Sequence, residues 1–260
     1  MKIAVAGKGG SGKTLVASTL SRLLARDGFD VLAVDVDTTL NLAPALGIRE
    51  EVRRSIVPLV ENREIIEERA TLGGGAFRLN PQVDDLVDKL AVTGPDHVKL
   101  MVVGTVRDAG SGCMCPANAL IRGLLRHLVL GERAAVVMDM EAGLEHLGRS
   151  TIRGFDVLLI VTEPSVKSVE VSLKIAELAG KLSVRSKWLI GNKVASAEDE
   201  KFLIDELSRH HLASKALIPY DRSIADADRK GTPPLDLNPS SPAMKALVLL
   251  SRDITAPAQT

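Results

Sequence analysis

The segment from Gly7 to Thr14 constrains the fold of this chain more than any other stretch, and it reads Gly-Lys-Gly-Gly-Ser-Gly-Lys-Thr. It matches the pattern G-x-x-x-x-G-K-[ST], in which glycines allow backbone N–H groups to turn inward around a polyphosphate. An apolar stretch, Ile3–Ala6, precedes this segment, and an amphipathic stretch, Leu15–Ala25, follows it. The pattern therefore predicts a strand, a phosphate-binding loop and a helix in that order. A glycine-rich turn that holds lysines by chance is the alternative.

Aliphatic runs and helix-like stretches alternate along the rest of the chain. Most of the runs are continuous, which is typical of parallel strands that are covered on both faces. The predicted class is α/β, a P-loop NTPase with a mostly parallel, doubly wound sheet flanked by helices. The predicted strands are Ile3–Ala6, Val31–Asp35, Ala76–Asn80, Ala134–Asp139, Val157–Val161, Lys187–Gly191 and Ala216–Pro219, and the predicted helices are Leu15–Ala25, Ala117–Leu130, Val166–Lys181 and Asp199–His210.

Length and charge limit the organisation and the partners of the chain. Its 260 residues are predicted to form a single domain, with an insertion at about 82–116 that contains a further candidate strand, Val98–Val103. The 33 basic and 33 acidic side chains balance, which argues against nucleic acid or an anionic membrane as a partner. The chain begins directly with a strand and has no apolar run of roughly 20 residues, so we expect a cytoplasmic protein.

The loop supplies most of the groups predicted to bind the nucleotide. Lys13 is expected to neutralise charge on the phosphates, and Thr14 is expected to place its hydroxyl on Mg²⁺. Lys8 is a second lysine, for which a simple phosphate cradle has no obvious use. The loop residues predicted to contact nucleotide are Gly9, Gly10, Ser11, Gly12, Lys13 and Thr14.

Acidic residues follow two of the predicted strands, at the edge where a parallel sheet binds ligands. Asp35 and Asp37 end the second strand, and Asp139 follows four apolar residues, as in a Walker B strand. Of these carboxylates, Asp35 and Asp139 are predicted to act near Mg²⁺, and Asp37 is predicted to orient the attacking water. Gly143 is expected to let the backbone approach the γ-phosphate and move when it leaves. A solvated Asp pair at a strand end is the alternative.

The chain has two cysteines, Cys113 and Cys115, and one residue separates them. Neighbours this close are poorly placed for a disulfide, and a stable zinc-type site needs four ligands. Two copies of the pair at a two-fold axis would supply four thiolates, so the pair predicts a metal site shared by two subunits. Thiolates accept Zn²⁺, Ni²⁺, Cu⁺ or an iron–sulfur cluster, and the residues do not choose among them. Two unconnected thiols are the alternative.

Lys8 with Lys13, Asp35-x-Asp37 and Asp139-x-x-x-Gly143 together resemble the deviant Walker A ATPases, the group that includes MinD, ParA and the nitrogenase iron protein. The resemblance implies that Lys8 acts on the nucleotide of a partner subunit, like an arginine finger. It also implies a nucleotide switch formed by Asp37, Asp139 and Gly143.

Two later segments resemble the strand ends that contact adenine in the same family. Asn192 and Lys193 belong to one of these segments, and Pro219 belongs to the other. The family often has proline after the second aspartate of the Asp-x-Asp segment, where this chain has Thr38, so the path of the switch is open.

With the cysteine pair included, the resemblance narrows to carbon monoxide dehydrogenase maturation factors of the CooC type. Met1–Thr14, the Gly-Ser-x-Cys-x-Cys segment and Val137–Leu147 carry it. It implies a homodimeric ATPase that uses ATP and Mg²⁺, with Ni²⁺ or Zn²⁺ bridged between the subunits. The client would be a nickel enzyme, either carbon monoxide dehydrogenase or acetyl-CoA synthase, and the sequence does not separate the two.

Two other classes of function stay open on the sequence. One is a positioning ATPase of the MinD/ParA type, although the stretch Ala243–Ile254 has only Lys245 and Arg252 as basic residues for membrane binding. The other is an iron–sulfur electron donor like the nitrogenase iron protein, in which the cluster cysteines lie far apart in sequence.

Overall fold

The computed structural model describes residues 1–37, 39–73, 76–78, 80–83, 85–104, 116–127, 131–141, 154–181 and 184–256. The strands in this part are β1 (Lys2–Gly7), β2 (Asp30–Asp35), β3 (Thr71–Gly73), β4 (Ala76–Phe77), β5 (Val92–Thr93), β6 (Lys99–Val102), β7 (Ala134–Asp139), β8 (Val157–Thr162), β9 (Ser186–Val194) and β10 (Ser214–Pro219). The α-helices are α1 (Lys13–Arg26), α2 (Leu42–Leu46), α3 (Glu50–Arg53), α4 (Arg63–Ala70), α5 (Leu86–Leu90), α6 (Pro116–His127), α7 (Val166–Gly180), α8 (Ala197–Arg209), α9 (Arg222–Arg229), α10 (Pro234–Leu237) and α11 (Pro242–Thr255).

The principal sheet has the strand order β10-β9-β8-β1-β7-β2-β6-β5 within the described residues. Every pairing in it is parallel except that of β5 with β6. The order runs outward in both directions from β1, and this arrangement is typical of a doubly wound sheet. The predicted fold class is confirmed. The carboxyl ends of β1, β2, β7 and β8 therefore meet at one edge.

Helices cover both faces of this sheet. In β1, Ile3 and Val5 pack into the core below α1, α2 and α11, whereas Ala4 and Ala6 pack into the core below α6, α7 and α8. Side chains alternate between the two faces of a strand, so burial of both faces requires an uninterrupted apolar run. This double burial explains the continuous aliphatic stretches that identified these strands in the sequence.

Two segments differ from the sequence-based expectation. The predicted strand Ala76–Asn80 is wrong as a strand of the principal sheet, because the strand that its described residues form, Ala76–Phe77, pairs antiparallel with β3. The candidate strand at Val98–Val103 is confirmed as β6, which pairs parallel with β2 and buries Leu100 and Met101. The part of the predicted insertion at about 82–116 that contains β6 is therefore part of the sheet.

A buried arginine joins α1 to two distant segments. The side chain of Arg22 donates from Nε to Asp96 at 2.6 Å, and from Nη1 and Nη2 to Asp236 at 2.6 and 2.8 Å. A buried guanidinium is stable only when its donors are paired, and this one is paired by two carboxylates. The contacts fasten α1 to the 3₁₀ turn Pro95–His97 and to α10.

No helix among the described residues is both long enough and apolar enough to cross a bilayer.

Candidate nucleotide-binding site

The loop between β1 and α1 has a conformation that its glycines permit. Gly12 lies in the left-handed region at φ +98°, and a Cβ atom there would collide with the side-chain nitrogen of Asn192. A Cβ atom at Gly7 would collide with the carbonyl oxygen of Val161 on β8. Both positions therefore require glycine, for the backbone angle or for the close approach of a neighbour. The motif predicted from the sequence folds as a tight loop at the first strand–helix junction.

Lys13 lies at the start of α1 and faces the inside of the loop. Its Nζ donates a hydrogen bond to the carbonyl oxygen of Lys8 at 3.2 Å. Burial lowers the pKa of Lys13, and the nearby carboxylates of Asp139, Asp37 and Glu141 oppose that shift. The ammonium group is therefore partly desolvated and is surrounded by negative charge.

Asp35 and Asp139 are neighbours across the pairing of β2 with β7. Burial, together with the charge of Asp139, raises the pKa of Asp35 to about 7. Burial also raises the pKa of Asp139 to about 6, whereas the hydroxyl of Thr14 and the charge of Lys13 act in the opposite direction. Parallel pairing thus places two carboxylates side by side in a region of low solvent access.

The structure shows a structural role for Asp35 in the turn after β2. Its side chain is fully buried, and its two oxygens accept hydrogen bonds from the backbone N–H groups of Asp37 at 3.0 Å and Leu42 at 3.1 Å. Each oxygen thus accepts one hydrogen bond from the turn that follows β2. Asp35 anchors the turn that carries Asp37, and its contact with magnesium stays a prediction.

Asp139 retains the features expected near a divalent cation. Its Oδ2 accepts a hydrogen bond from the hydroxyl of Thr14 at 2.6 Å. Its Oδ1 is buried and has no hydrogen-bond partner within the described part of the chain. An unpaired buried carboxylate oxygen beside a hydroxyl fits the preference of Mg²⁺ for hard oxygen ligands.

A cavity of about 710 Å³ opens beside the loop, in the size range of small-ligand sites. We call one part of it the phosphate end, lined by Gly9, Gly10, Gly12, Lys13, Thr14, Asp37 and Asp139. We call the other part the base end, lined by Pro219, Tyr220, Asp221, Ile224, Asp228 and the segment 231–234. The carboxyl ends of the strands thus border one continuous space.

Asn192 and Lys193 line the cavity, but their side chains bind the loop. The buried amide of Asn192 donates to the carbonyl oxygen of Ser11 at 2.7 Å, and Lys193 Nζ donates to that of Gly10 at 2.7 Å. In these contacts both side chains support the loop. The residues predicted at the adenine, Asn192, Lys193 and Pro219, all line the cavity, and their contact with a base stays a prediction.

Glu163 is a residue that the sequence reasoning did not place in the site. Its Oε1 accepts from Lys193 Nζ at 2.5 Å, and its Oε2 lies 4.0 Å from Lys8 Nζ. Glu163 directly follows β8, at the same edge as the aspartates. That position after a buried strand was the signal that could have identified it.

Several predicted site residues lie outside the described residues, namely Cys113, Cys115 and Gly143. Within the described ranges, no group of three or more His, Cys, Asp or Glu side chains is placed to hold a metal ion. The proposed thiolate site and the glycine of the switch therefore stay predictions.

Sequence comparison identifies the family of the chain. The profile of the CobQ/CobB/MinD/ParA nucleotide binding domain matches residues 2–235. An uncharacterized ATP-binding protein of Methanocaldococcus jannaschii is 43% identical, over 95% of this chain and 95% of its own length. The carbon monoxide dehydrogenase accessory protein CooC of Rhodospirillum rubrum is 41% identical, over 92% of this chain and 91% of its own length.

Solved structures support the same fold. The septum site-determining protein MinD of Pyrococcus horikoshii, in complex with Mg-ADP, superimposes with a TM-score of 0.70 at 21% identity, over 98% of this chain and 95% of that one. MinD in the MinC:MinD complex of Aquifex aeolicus gives a TM-score of 0.70 at 20% identity, over 100% and 98%. At such identities the likeness concerns the fold alone. The phosphate-binding loop and the sequence relatives together show that this chain belongs to the CobQ/CobB/MinD/ParA nucleotide-binding family and is an ATPase of the CooC type.

Proposed function

We propose that this chain is a homodimeric metallochaperone that hydrolyses ATP and assists nickel insertion into the metal cluster of a client enzyme. The observation that carries the proposal is the 41% identity to the accessory protein CooC over 92% of the chain. The client would be carbon monoxide dehydrogenase or acetyl-CoA synthase. Cys113 and Cys115 are the residues we assign to the transported metal.

The phosphate end would bind the triphosphate of ATP. Backbone N–H groups of the loop from Gly9 to Thr14 would surround the phosphates, and Lys13 would exchange the carbonyl of Lys8 for a phosphate oxygen. Asn192 and Lys193 would contribute by supporting the loop from behind. Pro219 would offer its backbone to the base.

Hydrolysis requires a water molecule in line with the γ-phosphate. We assign Asp37 to orient this water, because its backbone is anchored by Asp35 and its side chain lines the phosphate end. The water oxygen would bond to the γ-phosphorus while the bond to the β,γ-bridging oxygen breaks, giving ADP, inorganic phosphate and a proton that passes to solvent. Thr14 and Asp139 would hold Mg²⁺, which would supply positive charge against the phosphates. Movement of Asp37, Asp139 and Gly143 after hydrolysis would form the switch.

Lys8 is assigned a role on the nucleotide of the partner subunit. Its side chain is 37% exposed, and it does not line the cavity of its own chain. An ammonium group in this position is available to a second subunit that docks against the loop. It would stabilise negative charge in the transition state, and ATP hydrolysis would then depend on dimer formation.

The cysteine pair would give the dimer a metal-binding role in addition to ATP hydrolysis. A pair from each subunit would provide four thiolates, which suit Ni²⁺ as cargo and also accept Zn²⁺. Because each subunit would supply half of this site, closure by ATP would assemble it and hydrolysis would open it. ATP hydrolysis and metal release would therefore be coupled through the closing and opening of the dimer.

Metal stoichiometry tests this proposal. We expect the wild type with ATP and Mg²⁺ to bind about one Ni²⁺ per dimer, and the double variant Cys113→Ala/Cys115→Ala to lose that binding. The double variant His210→Ala/His211→Ala removes two exposed histidine side chains and should bind as the wild type does. Equilibrium dialysis with metal analysis gives the measurement.

Unchanged nickel and zinc binding in the cysteine double variant would overturn the proposal. Two further measurements separate the other classes of function. ATP-dependent sedimentation with anionic vesicles or DNA would favour a positioning ATPase. Thiolate–iron absorbance in protein isolated without oxygen would favour an iron–sulfur electron donor.

A further inference from the structure

Glu163 is held beside the phosphate-binding loop by contacts of its backbone and its side chain. Strand β8 pairs with β1 so that Val161 is the register partner of Gly7, and Glu163 follows two residues later. Its backbone N–H donates to the hydroxyl of the buried Ser168 at 2.9 Å, and its side chain is 18% exposed. The carboxylate therefore has a defined position at the entrance of the loop.

Two ammonium groups share this carboxylate unequally. Lys193 takes the left-handed conformation at φ +60°, uncommon for a residue with a side chain, and donates both to Glu163 and to the carbonyl of Gly10. Lys8 Nζ stays 4.0 Å from the other carboxylate oxygen, beyond hydrogen-bond length. The Lys193 contact is thus structural, whereas the Lys8 contact is a loose electrostatic one.

We propose that Glu163 is a positioning residue that retains Lys8 beside its own loop, and that Lys8 leaves Glu163 when it reaches the nucleotide of the partner subunit. The inference rests on the proposed function, in which Lys8 acts across the dimer. In a single chain the carboxylate is the one negative side chain that the described residues place within 4.0 Å of the Lys8 ammonium. Polyphosphate on the partner carries more negative charge and displaces it.

The contact between Lys8 and Glu163 opposes dimer closure. Each subunit gives up its Lys8–Glu163 attraction on closure, so the attraction favours the open chain. Glu163→Gln removes the negative charge but keeps an oxygen that accepts the hydrogen bond of Lys193. This substitution therefore removes the charge that attracts Lys8 while it keeps a hydrogen-bond acceptor for Lys193, which supports the loop.

The test measures dimer formation with a non-hydrolysable ATP analogue, AMP-PNP, and Mg²⁺ by sedimentation velocity. We expect Glu163→Gln to lower the dimer Kd by about three- to tenfold, in keeping with two partly exposed ion pairs per dimer. Glu163→Asp retains the charge and should lie closer to the wild type. Glu170→Gln removes an equal charge from an exposed site on α7 and should leave the Kd unchanged.

A second measurement follows Lys8 in the nucleotide-free chain. Competitive acetylation read by mass spectrometry should label Lys8 about two- to fivefold faster in Glu163→Gln, because the side chain is no longer held by an ion pair. Lys167, which is exposed on α7, is the internal reference. Thermal melting of each variant confirms that it is folded before the comparison.

The outcomes distinguish this inference from the proposed function. A wild type that forms dimers with AMP-PNP, together with an unchanged Kd and labelling rate in Glu163→Gln, would overturn the role of Glu163 and leave the proposed function intact. A wild type that stays monomeric with AMP-PNP would overturn the dimer itself and, with it, this inference. A lower Kd with faster labelling of Lys8 supports both.

Discussion

The two ends of the cavity are built from different kinds of groups. At the phosphate end, ionisable side chains are buried against one another, and the pKa of Asp139 rises to about 6. At the base end, Tyr220 is 58% exposed and Asp221 uses its side chain to cap α9. Charge interactions are strong where solvent is excluded and weak where it is present. A single substitution should therefore cost far more at the phosphate end than at the base end.

The largest effect is expected for Lys13→Ala at the phosphate end. Loss of this ammonium removes the positive group nearest the predicted phosphates, so the ATPase rate should fall by about 10²- to 10³-fold. A coupled phosphate-release assay on purified protein measures the rate. Lys167→Ala, an exposed lysine on α7, is the matched control and should retain the wild-type rate. A Lys13→Ala rate within tenfold of the wild type would contradict the assignment.

A smaller effect is expected from the titration of Asp35 in nucleotide-free protein with EDTA. Its pKa is about 7 when folded, against roughly 3.9 when unfolded, so the folded chain binds more protons between these values. The free energy of unfolding must then decrease as pH rises from about 4 through 7. Between pH 5.5 and 8 the wild type should lose on the order of 1–2 kcal/mol more than Asp35→Asn.

Urea unfolding at a series of pH values measures this difference. Asp205→Asn removes an exposed carboxylate from α8 and should follow the pH dependence of the wild type. Equal pH slopes for the wild type and Asp35→Asn would show that this buried carboxyl does not take up a proton in that range.

The smallest effect is expected at the base end, for Tyr220→Ala. Because the ring is largely exposed, its removal should weaken ATP binding by only about two- to fivefold, less than a fully stacked ring would contribute. Calorimetry with AMP-PNP measures the affinity, and Tyr220→Phe, which keeps the ring, should bind as the wild type does. A loss of ATP affinity of about 10²-fold or more, comparable to the fall in ATPase rate expected for Lys13→Ala, would contradict the expected difference between the two ends of the cavity.

Much of the fold could be predicted because burial on both faces leaves a direct trace in the sequence. β1, β2, β7 and β8 are uninterrupted aliphatic runs, and each was identified. The segment Ala76–Asn80 was misassigned because its mixed composition gives no periodic signal, and its short pairing with β3 depends on chain contacts that the sequence pattern does not show. Only the structure reveals that β6 lies beside β2.

Some residues of the candidate site could likewise be predicted from the sequence, and others could not. Lys13 and Thr14 could be placed in the candidate site because phosphate binding requires fixed spacings within a motif, and Asp139 could be placed there because it ends a buried strand. The role of Glu163 was not predictable, because it depends on contacts with Lys193 and Lys8, which lie 30 and 155 residues away in the chain. Asp35 was assigned to the correct edge, but its hydrogen bonds to the following turn were not predicted, because that turn forms only in the folded chain.

The buried Arg22 links α1 to α10, and both helices border the cavity. Its guanidinium binds Asp236 on α10, and Asp236 lies close in sequence to Pro233 and Pro234, which line the cavity. Arg22 itself belongs to α1, the helix that follows the phosphate-binding loop. Two hydrogen bonds of Arg22 thus join α1, the helix that carries Lys13, to the segment at the base end of the cavity. Two parts of the cavity wall that are 214 residues apart in the chain are therefore joined through one side chain.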